Sequence, residues 1–248
     1  MLDGLVTAMR TLTVLSVPGK DADEFSRSLY WFPLVGLLLG LLQAALAWIG
    51  MVSQIPEFSA LLVLLSGVLL TRAIHADGLA DLADGFFGGK TRESRLRIMK
   101  DPAVGSFGVI ALILLFLFKW IALTRIVAHG QYEWIVSGIV LARFVQVVLA
   151  SVMTYAREGE GTACRFVAGA GGWHVVVAAL FSLLILVLVM KMQRLPIVVA
   201  LLATAVSGSL TGMLAAKKIH GVTGDVLGAS SEMTEALVWC SALLLLFY

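Results

Sequence analysis

Charge is scarce in this sequence. Only 14 % of its 248 residues are Asp, Glu, Lys or Arg, while 60 % are hydrophobic. A soluble domain carries about 25 % charged residues, so a water-facing globule is excluded. The net charge of +2 offers no strongly basic surface, and no nucleic-acid partner is expected. Cysteine is nearly missing too. Cys164 and Cys240 follow no disulfide or zinc spacing and are expected as free thiols. The N-terminal residues lack the charged, apolar and small-residue order of a signal peptide. With no polar linker, internal repeat or low-complexity tract, residues 1–248 are expected to form a single helical domain.

What the chain does have is apolar runs near twenty residues, each enough to cross a hydrocarbon layer roughly 30 Å thick. The fold class expected is therefore all-α, a polytopic membrane bundle. Residues 1–29 begin with Leu2, Leu5, Val6, Met9 and Leu12 at helical spacing, which predicts an amphipathic helix lying in the interface. Seven spans are expected, over about 30–52, 58–74, 107–128, 134–155, 173–190, 196–216 and 235–247. Gly36 and Gly40 in the first form a small-xxx-small pair suited to close helix contact. With that parity, the polar segments 75–105, 156–173 and 217–232 share one side. They carry Arg72, Lys90, Arg92, Arg95, Arg97, Lys100, Arg157, Arg165, Lys217 and Lys218, against Arg125, Lys191 and Arg194 opposite. Cytoplasmic loops are the Lys/Arg-rich ones, so the expected site faces the cytoplasm, from the inner membrane.

The chemistry is concentrated in 75–105, the expected catalytic segment. It opens His75-Ala-Asp77-Gly78-Leu-Ala-Asp81-Leu-Ala-Asp84-Gly85. On a helix, Asp77, Asp81 and Asp84 fall within roughly 60° of one another. Three carboxylates so close resist joint ionisation without a cation. An oxygen-only set suits Mg²⁺, which keeps open positions for water and for phosphate oxygens. The bland alternative is a solvated acidic helix face. Arg92 and Arg97 read equally as topology anchors, whereas Arg95 and Lys100 are better placed to meet a substrate phosphate. Pro102 disfavours helix at Asp101, which leaves Asp101 at a helix end as a candidate proton acceptor. His75 is a second candidate, or only a helix-start hydrogen-bonding group.

Gly221-Val-Thr223-Gly224-Asp225-Val-Leu227-Gly228 can bring backbone N–H groups and the Thr223 hydroxyl to a phosphate, with Lys218 just before it. The signal is weak, since glycine-rich turns between spans are common. Arg157-Glu158-Gly159-Glu160-Gly161 is a weaker candidate still. Arg143 and Lys119 fall inside spans. A charge there is costly and normally faces the bundle interior, yet no partner can be named from sequence.

These runs resemble the cobalamin synthase family, the adenosylcobinamide-GDP ribazoletransferases. His75 to Gly85 is similar to the family's His-x-Asp-Gly-Leu-x-Asp-x-x-Asp-Gly run. Ile98 to Asp101 with Gly105 to Gly108, Thr223 to Ala229 and Phe32 to Gly36 match its other runs in order. His220 stands where the family more often has a glycine pair. The resemblance implies a membrane enzyme using Mg²⁺. In it the 3′-hydroxyl of α-ribazole, or of its 5′-phosphate, attacks the cobinamide-linked phosphorus of adenosylcobinamide-GDP, and GMP leaves. The residues fit such a reaction as follows: Asp77, Asp81 and Asp84 for metal; Arg95, Thr223, Gly224, Asp225 and Lys218 for substrate; Asp101, His75 and Lys100 for catalysis. Partners are then the two substrates and the lipid bilayer, with a homo-oligomer left open. A CDP-alcohol phosphotransferase shares Asp81-x-x-Asp84-Gly85 but requires a following Ala-Arg and a later Asp-x-x-x-Asp, absent here. An ion or metabolite transporter is the rival of another class.

Overall fold

Apolar side chains that find no partner within the chain decide how this protein sits. Leu41, Trp48, Ile113, Leu117, Phe118, Leu180, Leu184 and Leu202 are all exposed, and together they form a surface suited to lipid. A computed structural model describes residues 2–157 and 161–246, and the elements are helical throughout. In order they are α1 (Leu2–Leu12), a 3₁₀ turn (Phe25–Trp31), α2 (Phe32–Gly50), α3 (Pro56–Thr71), α4 (Ile74–Gly88), α5 (Arg92–Ile98), α6 (Ser106–Ala128), α7 (Glu133–Val152), α8 (Thr162–Val167), α9 (Gly172–Val189), α10 (Arg194–Ile219) and α11 (Gly224–Leu246).

Five segments among the described residues are long and apolar enough to cross a membrane: 25–53, α6, α7, α9 and α10. A sixth is counted if α3 and α4, bent by 88° at their junction, are taken as one broken crossing. The membrane bundle expected is thus present, with five or six candidate spans among the described residues where seven were expected. The last expected span, α11, starts at Gly224 and carries Asp225, Glu232 and Glu235 on its length. Its polar side chains Ser230, Ser231 and Thr234 are buried against other helices, which is why it reads poorly as an apolar segment. The end of that expected span, residue 247, lies outside the described residues.

α7 is the axis of the bundle, with 78 % of its apolar stretch buried against 28 % for α6, α9 and α10. It packs on α2, α9 and α11. The expected small-residue contact is present. A Cβ on Gly40 would lie 2.8 Å from the Val136 Cα, and one on Gly36 3.1 Å from the Val140 Cα, so the two helices meet backbone to backbone.

The N-terminal segment is helical with one buried face, as its spacing predicts. α1 buries Val6, Ala8, Met9 and Leu12 against the 3₁₀ turn and α2. Arg10 folds the following connector back through bonds to the Val17 and Gly19 carbonyls at 3.0 Å each and an ion pair with Asp21 at 3.2 Å.

Between α3 and α4 the chain turns at Arg72 and Ala73, both left-handed, with φ of 55° and 57°. Side chains other than glycine rarely adopt that region, and two in succession redirect the helix abruptly. α3 is the apolar leg of the pair and α4 the polar one, packed against α6 and α11.

Candidate active site

The acidic run is helical, as its spacing predicts: all of His75 to Gly85 lies in α4. Leu79, Ala80, Leu82 and Ala83 are buried, which leaves Asp77 exposed and Asp81 half-buried along the outer edge. Asp84 faces inward. Its oxygens accept the Gly105 N–H at 2.7 Å and the Gly108 N–H at 2.9 Å, so it caps the start of α6. Asp84, one of the three expected metal ligands, thus has a structural task that its spacing did not suggest. A Cβ on Gly78 would stand 2.9 Å from the Asp225 carbonyl oxygen. α4 and α11 therefore touch with nothing between their backbones at that level.

That contact brings Asp225 to the acidic face. Arg157 Nη2 donates to Asp225 Oδ2 at 2.7 Å and to the Met99 carbonyl at 3.3 Å. Burial pushes the Asp225 carboxyl up, and Arg157 opposes the shift. Burial, then Asp225 and Asp77, push Asp81 up to about 7. A carboxyl raised by its own neighbours marks a cluster short of positive charge. An oxygen-only set of that kind fits a hard divalent cation. Among the described residues no three His, Cys, Asp or Glu side chains come together as a cage. The fit is to an ion that takes one or two carboxylates and fills its shell with water and phosphate oxygens.

The three polar segments expected on one side do meet. Val222 N–H donates to the Thr154 carbonyl at 2.9 Å and Ala156 N–H to the Val222 carbonyl at 2.8 Å, a short parallel bridge between Tyr155 and Val222. Arg92 binds the Ala156 carbonyl at 2.6 Å and the Ile219 carbonyl at 3.1 Å, so one guanidinium ties all three segments.

Several expected substrate groups are already engaged. Arg95 donates to the Gly89 carbonyl at 3.0 Å and the Lys218 carbonyl at 3.1 Å. Lys218 donates to the Phe86 carbonyl and lies over the Phe87 ring at 5.2 Å. Thr223 is fully buried, bonds Asp225 Oδ2 at 3.2 Å and accepts the Val226 N–H at 3.3 Å, which caps α11. Gly224, Lys100 and Arg97 are exposed. Asp101 is exposed on the connector before α6, with Oδ1 accepting the Ala103 N–H at 3.0 Å. His75 is 3 % exposed, on the inner side of α4 and away from the acidic edge. Of the weakest candidate loop, Arg157 joins the site, while Glu158, Gly159 and Glu160 lie outside the described residues.

The intramembrane charges find partners that sequence left unnamed. Lys119 pairs with Glu232 at 2.5 Å and Glu235 at 2.8 Å. Arg143 bonds Ser231 and lies 3.9 Å from Glu235. Two cations and two carboxylates neutralise one another in the core.

The sequence that builds this site has relatives over nearly its full length. The model of the family described as Cobalamin-5-phosphate synthase matches residues 4–244. The chain belongs to that family. A protein of Chlorobium phaeobacteroides (strain BS1), named adenosylcobinamide-GDP ribazoletransferase, is 62 % identical over 98 % of both chains. One of Chlorobium chlorochromatii (strain CaD3) with the same name is 57 % identical over 99 % of this chain and 98 % of its own. At greater distance, one of Shewanella oneidensis, again of that name, is 35 % identical over 96 % of this chain and 92 % of its own. No solved structure gives a significant match. The family model covers α4, the Arg157 loop and the start of α11 without interruption, so membership rests on the entire site and not on one motif.

Proposed function

We propose that this chain is an adenosylcobinamide-GDP ribazoletransferase, a membrane phosphotransferase that joins α-ribazole, or its 5′-phosphate, to adenosylcobinamide-GDP and releases GMP. One observation carries the reading: three sequence-distant polar segments, two of them holding family-like runs, meet around Asp77, Asp81, Asp225 and Arg157. The relatives named for this activity cover nearly the full chain.

In the reaction the ribazole 3′-hydroxyl oxygen forms a bond to the cobinamide-linked phosphorus, the bond from that phosphorus to GMP breaks, and the hydroxyl proton leaves. Such transfer depends on positioning and on neutralising charge. Asp77 and Asp81 would hold Mg²⁺, while Asp84, the third expected ligand, keeps both oxygens on the start of α6. When bound, the ion neutralises the diphosphate and the departing GMP. Lys100, exposed beside this edge, adds a cation to the phosphates. Arg157 fixes Asp225 and the Met99 end of α5, so the acidic edge and the substrate loop keep one spacing. Asp101 accepts the hydroxyl proton, being exposed and outside the ion's carboxylate pair. The Lys/Arg-rich side of the chain supports a cytoplasmic orientation in the inner membrane.

The test is Mg²⁺-dependent release of GMP from adenosylcobinamide-GDP and ribazole by purified protein in detergent, with Asp81→Asn alongside. GMP release by the native protein and not by the variant is expected. Turnover of a CDP-linked lipid with no GMP release would overturn the assignment.

A further inference from the structure

The starts of two spans, with α1 beside them, enclose a cavity of about 380 Å³ that no step above uses. Its walls come from α1, the connector that follows it, the 3₁₀ turn and the first turns of α9. The Tyr30 ring stacks on His174 at 4.4 Å, which holds the 3₁₀ turn against α9. A Cβ on Gly4 would lie 2.9 Å from the Arg27 carbonyl oxygen and 3.2 Å from the Trp31 indole, so α1 is closely fitted to the same turn.

The lining is divided by polarity. Asp3, Asp23 and Arg27, all exposed, come from α1, the connector and the 3₁₀ turn. Val177 and Phe181 lie on the second and third turns of α9, inside an apolar span. From Trp173 to Phe181 the helix rises about 12 Å. Val176, Leu180 and Leu184 continue its apolar face, each at least 45 % exposed. Trp31 and Trp173 stand at the span starts, the usual level of interfacial aromatics. Neither indole N–H, nor the Tyr30 hydroxyl, has a hydrogen-bond partner among the described residues. A polar rim above an apolar leg suits an amphiphile standing along α9.

Charge selects its headgroup. Arg27 is already paired with Glu24 at 2.9 Å, whereas Asp3 and Asp23 have no cation among the described residues. Asp3 sits in the first turn of α1, where a carboxylate favours the helix dipole; Asp23 has no such reason to be there. The rim is therefore net negative. It repels an anionic headgroup, which basic juxtamembrane segments would otherwise draw, and attracts an ammonium. A primary ammonium donates three hydrogen bonds, enough to reach both carboxylates, while a quaternary one donates none. The indole and Tyr30 donors are then left for a phosphate.

We propose that this cavity binds an ethanolamine phospholipid. Its ammonium meets Asp3 and Asp23, its phosphate the Trp31 and Trp173 N–H groups, and one acyl chain runs over Val177 and Phe181. The bound lipid pins α1 and its connector to the bilayer.

Native mass spectrometry of the detergent-purified protein tests this, with ethanolamine, choline and glycerol phospholipids of identical chains. The ethanolamine lipid is expected to bind on the order of fivefold tighter than the other two, a gap that two exposed charge contacts can supply. Asp3→Asn combined with Asp23→Asn is expected to make the ethanolamine and choline lipids equal. Trp173→Ala, at a position 68 % exposed, is expected to weaken the ethanolamine lipid. Equal binding of the three lipids by the native protein, tightest binding of the glycerol lipid, or a preference that survives the double substitution overturns the proposal. Should the double variant fail to fold, Trp173→Ala decides, and an unchanged affinity overturns the site. Glycerophosphoethanolamine, the same headgroup without chains, is expected not to compete at equal concentration. Full competition would overturn the lipid in favour of a soluble ammonium ligand. None of these outcomes depends on GMP release, so failure here leaves the transferase reading intact.

Discussion

Arg157 and Asp225, separated by 68 positions in sequence, form a 2.7 Å ion pair that joins the α7–α8 connector to the first turn of α11. The pair is mostly shielded, with side-chain exposures of 14 % and 19 %, so it is worth more than a solvent-exposed pair. Arg157 lowers the Asp225 carboxyl against the upward push of burial. In Arg157→Met that restraint is lost, and Asp225 is protonated at higher pH than before. The acid limb of GMP release is expected to move to higher pH, with turnover at neutral pH lower by on the order of tenfold. Arg157→Lys should recover part of the loss. A pH–rate profile of the three proteins checks this, and an unmoved acid limb refutes it.

Asp81 gives a second pH prediction. Its carboxyl is pushed up to about 7 by burial, Asp225 and Asp77. A bound cation favours the ionised form, so raising Mg²⁺ lowers the apparent pKa. At limiting Mg²⁺ the acid limb should lie near neutrality, and it should shift to lower pH as the ion is increased. The same limb at every Mg²⁺ concentration would count against a metal at Asp81.

Asp84 and Asp77 should separate cleanly by substitution. Asp84→Asn removes charge from a carboxylate that holds the Gly105 and Gly108 N–H groups, and a loss of about 1–3 kcal/mol in stability is expected. Asp77→Asn touches no such cap and should instead raise the Mg²⁺ concentration needed for half-maximal GMP release. Thermal unfolding in detergent and Mg²⁺ titration, run on both variants, distinguish the two roles.

Much of this arrangement is legible in the chain. The carboxylates sit in a single helical run because Leu79, Ala80, Leu82 and Ala83 alternate with them at helical spacing, and the three polar segments that interrupt the apolar runs do meet. The interior charges are different. Glu232 reads as the end of a polar loop and Glu235 as the first residue of a span, whereas both lie within α11 as partners of Lys119. Pairing between helices is non-local, and a lone charge in an apolar run carries no mark of what faces it. Arg95 and Lys218 show another limit of reading from sequence. Basic groups near helix ends look free for phosphate, yet they are bound to the Gly89, Lys218 and Phe86 carbonyls. The turn at Arg72 and Ala73 has neither glycine nor proline to announce it.

That interior cluster carries its own prediction. Lys119→Met leaves Glu232 and Glu235 facing each other without their cation, and removing one partner of a buried pair costs about 3–5 kcal/mol. The variant should unfold at lower temperature in detergent. Adding Glu232→Gln to Lys119→Met should restore part of the loss, since only one carboxylate then needs Arg143. No recovery in the double variant would show that Lys119 acts by packing alone.

Gly221 tests the bridge that unites the loops. A Cβ there would collide with the Thr154 carbonyl oxygen, next to the Val222–Thr154 bond. Gly221→Ala is expected to cost about 1–3 kcal/mol through the forced shift and to reduce GMP release more than stability alone explains. Assay below the unfolding range checks it; full activity there would mean that the loops are aligned by Arg92 without the bridge.

The bare backbone at Gly78 has a consequence for what the enzyme can become. Because a single added methyl carbon would strike the Asp225 main chain, the gap between the two acid-bearing helices is set by a missing atom and has no adjustable filler. On the proposed reading, a diphosphate at this edge would meet a gauge of fixed width. On that reading, change in what the protein accepts must come from the rims, since drift at this crossing would force the two helices apart.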